Sequence, residues 1–172
     1  PAIGSLLWGS LSPMSKSTDE LRDRWDAFAH LFASRIEGTT LQLARTLITQ
    51  LRLGDATALL EVGAGAGGAA VVSRETLSAT ARHSVTDLSS AMVKIAREKL
   101  PDAVDVREAN GEELPYEDAS FDRYLANLNL MLVGDADRCL AEAARVLRPG
   151  GLAAWSVWGR PEHSPMFTVP PV

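Results

Sequence analysis

Leu59-Leu60-Glu61-Val62-Gly63-Ala64-Gly65-Ala66-Gly67-Gly68 is a short apolar strand that passes straight into a glycine-rich bend. A helix-compatible run, Ala69 to Ala81, follows. The bend therefore lies between strand and helix, where backbone N–H groups converge on a ligand. Gly63, Gly65 and Gly68 also spell the G-x-G-x-x-G of nicotinamide and flavin proteins. That spacing alone does not name the ligand, and a glycine turn that binds nothing reads the same way. Glu61 separates the readings. It stands two positions before the first glycine, where a carboxylate repels a pyrophosphate but attracts the ammonium and sulfonium of S-adenosylmethionine.

The chain has 172 residues and an apolar fraction of 46%, which fits one domain with a real core. Its formal net charge of −5 argues against a nucleic-acid surface, which needs clustered Lys and Arg. Cys139 is the single cysteine, so no internal disulfide and no cysteine-rich zinc site can form. A cytoplasmic location is expected on that ground. Pro1 to Met14 is apolar but broken by Gly4, Gly9, Ser10 and Pro13, with no basic start. It resembles neither a membrane span nor a secretory signal. Residues 1–17 are expected to be a loose arm.

From Thr18 to Ile36, Leu21, Trp25, Phe28, Phe32 and Ile36 recur every three or four positions, as one helical face requires. Gly38 is expected to break that helix. Thr39 or Thr40 then caps a second one, with Leu41, Ala44, Leu47 or Ile48, and Leu51 inward and Gly54 beyond its end. The aromatic face packs against the domain or forms a lid over a ligand. Residues 18–54 thus precede a core over 55–159, with a C-terminal extension over 160–172.

Arg82 to Asp87 is a second strand with one strongly apolar residue. Asp87 lies roughly 20 residues past the bend, where an acidic side chain can accept both ribose hydroxyls. It could equally open the next helix, Ser89 to Leu100, which turns Met92, Val93, Ile95, Ala96 and Leu100 inward and stops at Pro101. A third strand is expected over Ala103 to Arg107, followed by a polar loop through Tyr116. In that loop Asn110 is placed to bond an adenine edge, with the amides of Gly111 and Glu112 as further donors, or else forms an Asx turn. Phe121 to Leu128 reads as the fourth strand, and Asp135 opens a helix carrying Leu140, Ala144 and Leu147. Arg148-Pro149-Gly150-Gly151 turns into a fifth strand, Leu152 to Trp158. Strand and helix alternate throughout, which predicts an α/β, doubly wound, parallel sheet of about five strands with helices on both faces.

Four separated segments resemble the class I S-adenosylmethionine-dependent methyltransferases, in the branch with quinone-type and other small-molecule enzymes. They are Glu61-x-Gly63-x-Gly65-x-Gly67, Val85-Thr86-Asp87-Leu88-Ser89 with Met92 and Ala96, Leu114-Pro115-Tyr116 through Phe121-Asp122, and Arg145-Val146-Leu147-Arg148-Pro149-Gly150-Gly151. The resemblance runs from about Trp25 to Gly159 and implies a Rossmann-like fold with an N-terminal helical lid. It implies that Glu61 and the glycines hold the methionine part, Asp87 the ribose, Leu88 one adenine face and Asn110 the adenine amino group. Trp25 and Phe32 align with aromatic positions of the lid. The candidate cofactor-binding set is Trp25, Glu61, Gly63, Ala64, Gly65, Gly67, Asp87, Leu88, Met92, Asn110, Gly111, Glu112 and Asn127.

Departures from the family pattern carry expectations of their own. Many relatives have Asp at Asn110, and histidines after the fourth strand where this chain has Leu130-Met131-Leu132, so no catalytic base is assigned. His163 is a conceivable base, but a lone histidine on a proline-rich loop is more often solvated. Asn127 and Asn129 stand where a metal-binding enzyme would place carboxylates, so no metal is expected. The chain runs into residues 160–172 where relatives add a closing antiparallel hairpin. The expectation is a truncated product, or a second subunit, such as a homodimer partner, over the exposed fifth strand. In-line methyl transfer to a small acceptor needs mainly alignment and a dry pocket. The competing readings are a protein that binds S-adenosylmethionine without turnover, and an NAD-dependent dehydrogenase, which Glu61 opposes.

Overall fold

The computed structural model describes residues 17–159. The expectations for the N-terminal arm, His163 and the absent hairpin lie outside the described residues, except that Ser17 belongs to the first helix as its cap. Its hydroxyl accepts from the Glu20 amide, and the Glu20 carboxylate accepts from the Ser17 amide, a reciprocal box that satisfies two orphan donors.

Five strands form one sheet: β1 (Ala58–Val62), β2 (Arg82–Asp87), β3 (Asp105–Glu108), β4 (Phe121–Asn127) and β5 (Leu147–Ser156). Their order is β3-β2-β1-β4-β5, and every neighbouring pair is parallel. The chain winds outward from β1 through β3, then returns to β1's other side for β4 and β5. That reversal opens a crevice at the carboxyl ends of β1 and β4, where Glu61 and the glycine bend stand. The outer edge of β5 has no strand partner among the described residues.

Among the described residues five α-helices flank the sheet: α1 (Thr18–Leu31), α2 (Glu37–Leu51), α3 (Gly68–Arg74), α4 (Ser90–Lys99) and α5 (Ala136–Val146). On one face α2 and α3 pack Ile48, Leu51 and Val72 on Leu59 and Leu125. There α4 adds Val93, Ala96 and Leu100 against Val85 and Val106. The opposite face buries Leu60, Val62, Tyr124 and Ala126 under Ala143 and Val146 of α5. No helix among the described residues is long and apolar enough to cross a membrane.

Several boundaries differ from expectation for identifiable reasons. Gly38 does not end the first helix: α1 passes through a π-helical turn, Phe32–Ile36, directly into α2. One extra residue per turn re-aims the helix without breaking it, and Gly38 simply sits inside α2 with nothing near its Cα. Thr39 and Thr40 are therefore not caps; the Thr40 hydroxyl donates to the Glu37 carbonyl. The run to Ala81 is helical only to Arg74, after which Leu77 drops into the core. β3 begins two residues later than expected, because Val104 donates to Pro101 in a turn. In α5 the inward stripe is Cys139, Ala143 and Val146, whereas Leu140 is 39% exposed. Both stripes fit a helical period, and they differ by one residue of rotation. The Arg148–Gly151 turn lies inside β5 as a bulge: the register jumps from Phe121↔Leu147 to Arg123↔Leu152.

Asp122 ties the entry of β1 to β4. Its carboxylate accepts from the Thr57 hydroxyl and the amides of Thr57 and Ala58. Burial pushes this carboxyl up, but those donors outweigh it and hold it below its ordinary value. Its contribution to stability is therefore present above the ordinary carboxylate range and is lost as pH falls through it. Asp122→Ala is expected to lower unfolding free energy by about 1–3 kcal/mol, measured by urea denaturation at neutral pH.

Candidate functional site

The cleft at the carboxyl ends of β1, β2 and β4 lies under α1 and the π turn. Every residue of the candidate set lines it except Gly67. Gly67 has φ of 84°, and a Cβ there would meet the Cβ of Ala96 at 2.9 Å. Its glycine is required by the packing of α3 on α4, away from the cleft.

Gly63 and Gly65 have φ of 63° and 58°, left-handed conformations that glycine adopts without strain. A Cβ on Gly63 would lie 2.0 Å from Asn129 Nδ2, and one on Gly65 2.9 Å from the Phe32 ring. These two side chains close over the bend. Four amides of the bend are bonded within the protein. Ala64 donates to the Thr86 carbonyl, Gly65 to Asp87 Oδ2, Gly67 to the Ala64 carbonyl and Gly68 to Glu37 Oε1. Two acidic side chains and two carbonyls take these four amides. A diphosphate would find few donors here and several carboxylates.

Asp87 also accepts from the Ser89 amide, 2.9 Å from Oδ1. Burial pushes its carboxyl up to about 6, against the Ser89 and Gly65 amides that favour the charge, and Asp26 adds repulsion. The cap of α4 is Ser89, whose hydroxyl accepts from the Met92 amide, so Asp87 does not cap that helix. Its remaining acceptor capacity faces the cleft. Glu61, 1% exposed, is bonded to His83 Nε2 at 2.9 Å.

Asn110 forms the Asx turn, its Oδ1 accepting from the Glu112 amide, and lines the cleft as well. Glu112 Oε1 accepts from the amides of Gly134 and Asp135, joining this loop to the start of α5. Asn127 bridges elements of the fold: Nδ2 donates to the Thr40 carbonyl and Oδ1 accepts from the Ser156 hydroxyl. Trp25 and Phe32 pack on Ala29, Ala66 and Met92 while lining the cleft.

Residues 60–155 match a methyltransferase-domain family model. This chain belongs to the class I S-adenosylmethionine-dependent methyltransferases. The domain is 38% identical over 97 residues to the ubiquinone/menaquinone biosynthesis C-methyltransferase UbiE of Brucella anthropi, an alignment covering 54% of this chain and 37% of that protein. The alignment thus spans little more than a third of that relative. Among solved structures, a chain of the complex between the Haloferax volcanii Trm112 methyltransferase activator and a methyltransferase superposes with a TM-score of 0.71 at 25% identity. That superposition covers 77% of this chain and 59% of that one. Geranyl diphosphate methyltransferase, solved with GPP and sinefungin, gives 0.60 at 26% identity, covering 67% and 43%.

Four side chains at the site of this methyltransferase domain were not in the candidate set. Asp26 Oδ1 accepts from the Ser89 hydroxyl and the Ala91 amide, and Oδ2 from the Ser90 hydroxyl. Glu37 holds the Gly68 amide and pairs with Lys99 at 2.5 Å. Asn129 covers Gly63, and His83 holds Glu61. An inward-facing histidine in β2 was the one visible signal; the other three depend on how α1, the π turn and the β4–α5 loop dock.

Glu61 and Asp87 are acceptors at the two sides of the bend, Asn129 and Phe32 lie against Gly63 and Gly65, and apolar Leu88 and Met92 complete the wall. That donor-poor, acceptor-rich set fits a cationic nucleoside such as S-adenosylmethionine.

Proposed function

We propose that this domain binds S-adenosylmethionine and transfers its methyl group to a small-molecule acceptor. The observation that carries the reading is that the carboxylates of Glu61, Asp87 and Glu37 line the cleft at the bend, where Asp87 and Glu37 hold the Gly65 and Gly68 amides. In this reading residues 18–54 form the lid and 55–159 the cofactor-binding core. Asp87 accepts from the ribose hydroxyls, Asn110 and the Gly111 and Glu112 segment meet the adenine edge, and Leu88 and Met92 meet its faces. Glu61 compensates the positive methionine end.

S-adenosylmethionine supplies, when bound, a methyl carbon attached to a good leaving group. The chain's own task is then alignment and exclusion of water. Trp25, Phe32, Leu128, Leu132 and Val133 give the cleft an apolar wall toward which an acceptor packs. Glu37, Glu61, Asp87 and Glu112, the ionisable groups that line it, are each engaged within the protein. No base is assigned among these described residues, and the acceptor is taken to be one whose lone pair is already available.

Calorimetric titration with S-adenosylhomocysteine and, separately, NADH tests the reading. Binding of the thioether with no heat from NADH is expected, and a panel of small acceptors with S-adenosylmethionine should yield S-adenosylhomocysteine. NADH binding without thioether binding would overturn it. Cofactor binding with no product from any acceptor would leave the binding role and remove the transfer step.

A further inference from the structure

His83 and Glu61 lie on one face of the sheet, diagonal to each other: His83 is in register with Leu59, and Glu61 is two residues further along β1. Both side chains are almost fully buried, at 1% and 2% exposure. Among the described residues no other side chain donates to the Glu61 carboxylate, and His83 Nδ1 has no hydrogen-bond partner. With Glu61 as the carboxylate, which can only accept, Nε2 carries the proton that binds Oε1. The tautomer with Nε2–H and a bare Nδ1 is the form that serves Glu61 without burying a second unsatisfied N–H.

This arrangement is a poor device for stability. Apolar residues of similar volume usually replace a buried polar pair at no loss, or with a gain, and the neighbouring strand positions Leu59 and Val85 are apolar already. A bare, buried nitrogen adds a further penalty. The benefit falls on Glu61. One oxygen is satisfied from below, the Thr86 hydroxyl donates to the Glu61 carbonyl at 3.2 Å, and Oε2 takes no donor from the described residues while the residue lines the cleft.

We infer that His83 is a positioning residue of the cofactor site: its Nε2–H fixes the rotamer of Glu61 and leaves Oε2 to meet the positive end of the ligand. The inference rests on the S-adenosylmethionine reading above and adds a residue to it. His83 itself touches neither ligand nor reacting atoms; it acts through Glu61.

The test is a double-mutant cycle read by calorimetric affinity for S-adenosylmethionine, with thermal melting of each ligand-free variant alongside. His83→Leu should weaken binding roughly ten- to a hundredfold, the range for a hydrogen bond to a charged group, and should also lower the melting temperature, because it leaves the Glu61 carboxylate buried without its donor. His83→Gln, which retains an N–H at similar reach, should recover most of that loss. In a Glu61→Gln background His83→Leu should change affinity by no more than about twofold. Unchanged affinity in His83→Leu, or an equal loss in both backgrounds, overturns the inference. Should His83→Leu not fold, nitrogen NMR of the unaltered chain decides: an Nε2–H tautomer whose Nε2 resonance moves on ligand addition supports the role, and an Nδ1–H tautomer or an unmoved resonance overturns it. If the unaltered chain binds no S-adenosylmethionine, the functional reading falls and this role with it; normal binding by the unaltered chain confines any failure to His83.

Discussion

Gly65→Val is expected to abolish binding of S-adenosylhomocysteine and to lower the melting temperature by roughly 2 to 12 °C, from about 1–3 kcal/mol of backbone strain. At φ of 58° a β-branched residue is a severe outlier. Its Cβ would meet the Phe32 ring at 2.9 Å, so the ring must swing into the cleft or the bend must move. Either shift also disturbs the 2.8 Å bond from the Gly65 amide to Asp87. From sequence alone this substitution reads as a block to the ligand that leaves the fold largely intact; the strained φ and the ring contact add a stability loss. Scanning calorimetry and titration separate the two effects, and a Gly65→Val chain that still binds the thioether would refute the assignment of the bend.

Asp87→Ala should weaken cofactor affinity by about 1–3 kcal/mol, the range for losing a hydrogen bond to a charged acceptor. The same residue gives the site a pH dependence. With its carboxyl pushed by burial up to about 6 from the ordinary 3.8, the folded chain holds this proton more tightly than the unfolded one. Its contribution to stability therefore falls as pH rises from the ordinary value to about 6 and is level above. Binding runs the other way, because ribose hydroxyls donate to the ionised carboxylate. Affinity should be full above about pH 7 and weaken below about pH 6, approaching tenfold per unit. Asp87→Asn should flatten that profile. Titrations from about pH 5 to about pH 8 check this, and an unaltered chain with constant affinity over the range would remove Asp87 from the ribose contact.

The alternation of strands and helices was legible because parallel strands are joined by helices, and because Ala58 to Val62 and Phe121 to Leu128 are mostly apolar stretches of strand length. β2 was readable mainly by position, since His83, Ser84 and Thr86 are buried yet polar. Their hydrogen bonds, invisible in one dimension, make that burial tolerable. The rotation of α5 was misread by one residue because Leu140 and Cys139 satisfy the same period, and only docking chooses between them. The π turn was unreadable for a similar reason: Gly38 looked like a stop, whereas the irregularity came earlier, at residues with ordinary helical preferences. At the site, the positions whose neighbours are close in sequence were found. Glu37, Asp26 and Asn129 reach it across 31, 63 and more residues, distances that no spacing rule covers.

Asp26 on Ser89 and Ala91, with Glu37 on Gly68, fastens the N-terminal segment to the core at two points on either side of Phe32. A flap needs one free end, and a strap pinned twice has none. On the proposed reading, passage in and out of the crevice is expected to rely on rotation of Phe32 and Asn129, fast motions of single side chains, rather than on opening of the main chain between Asp26 and Glu37.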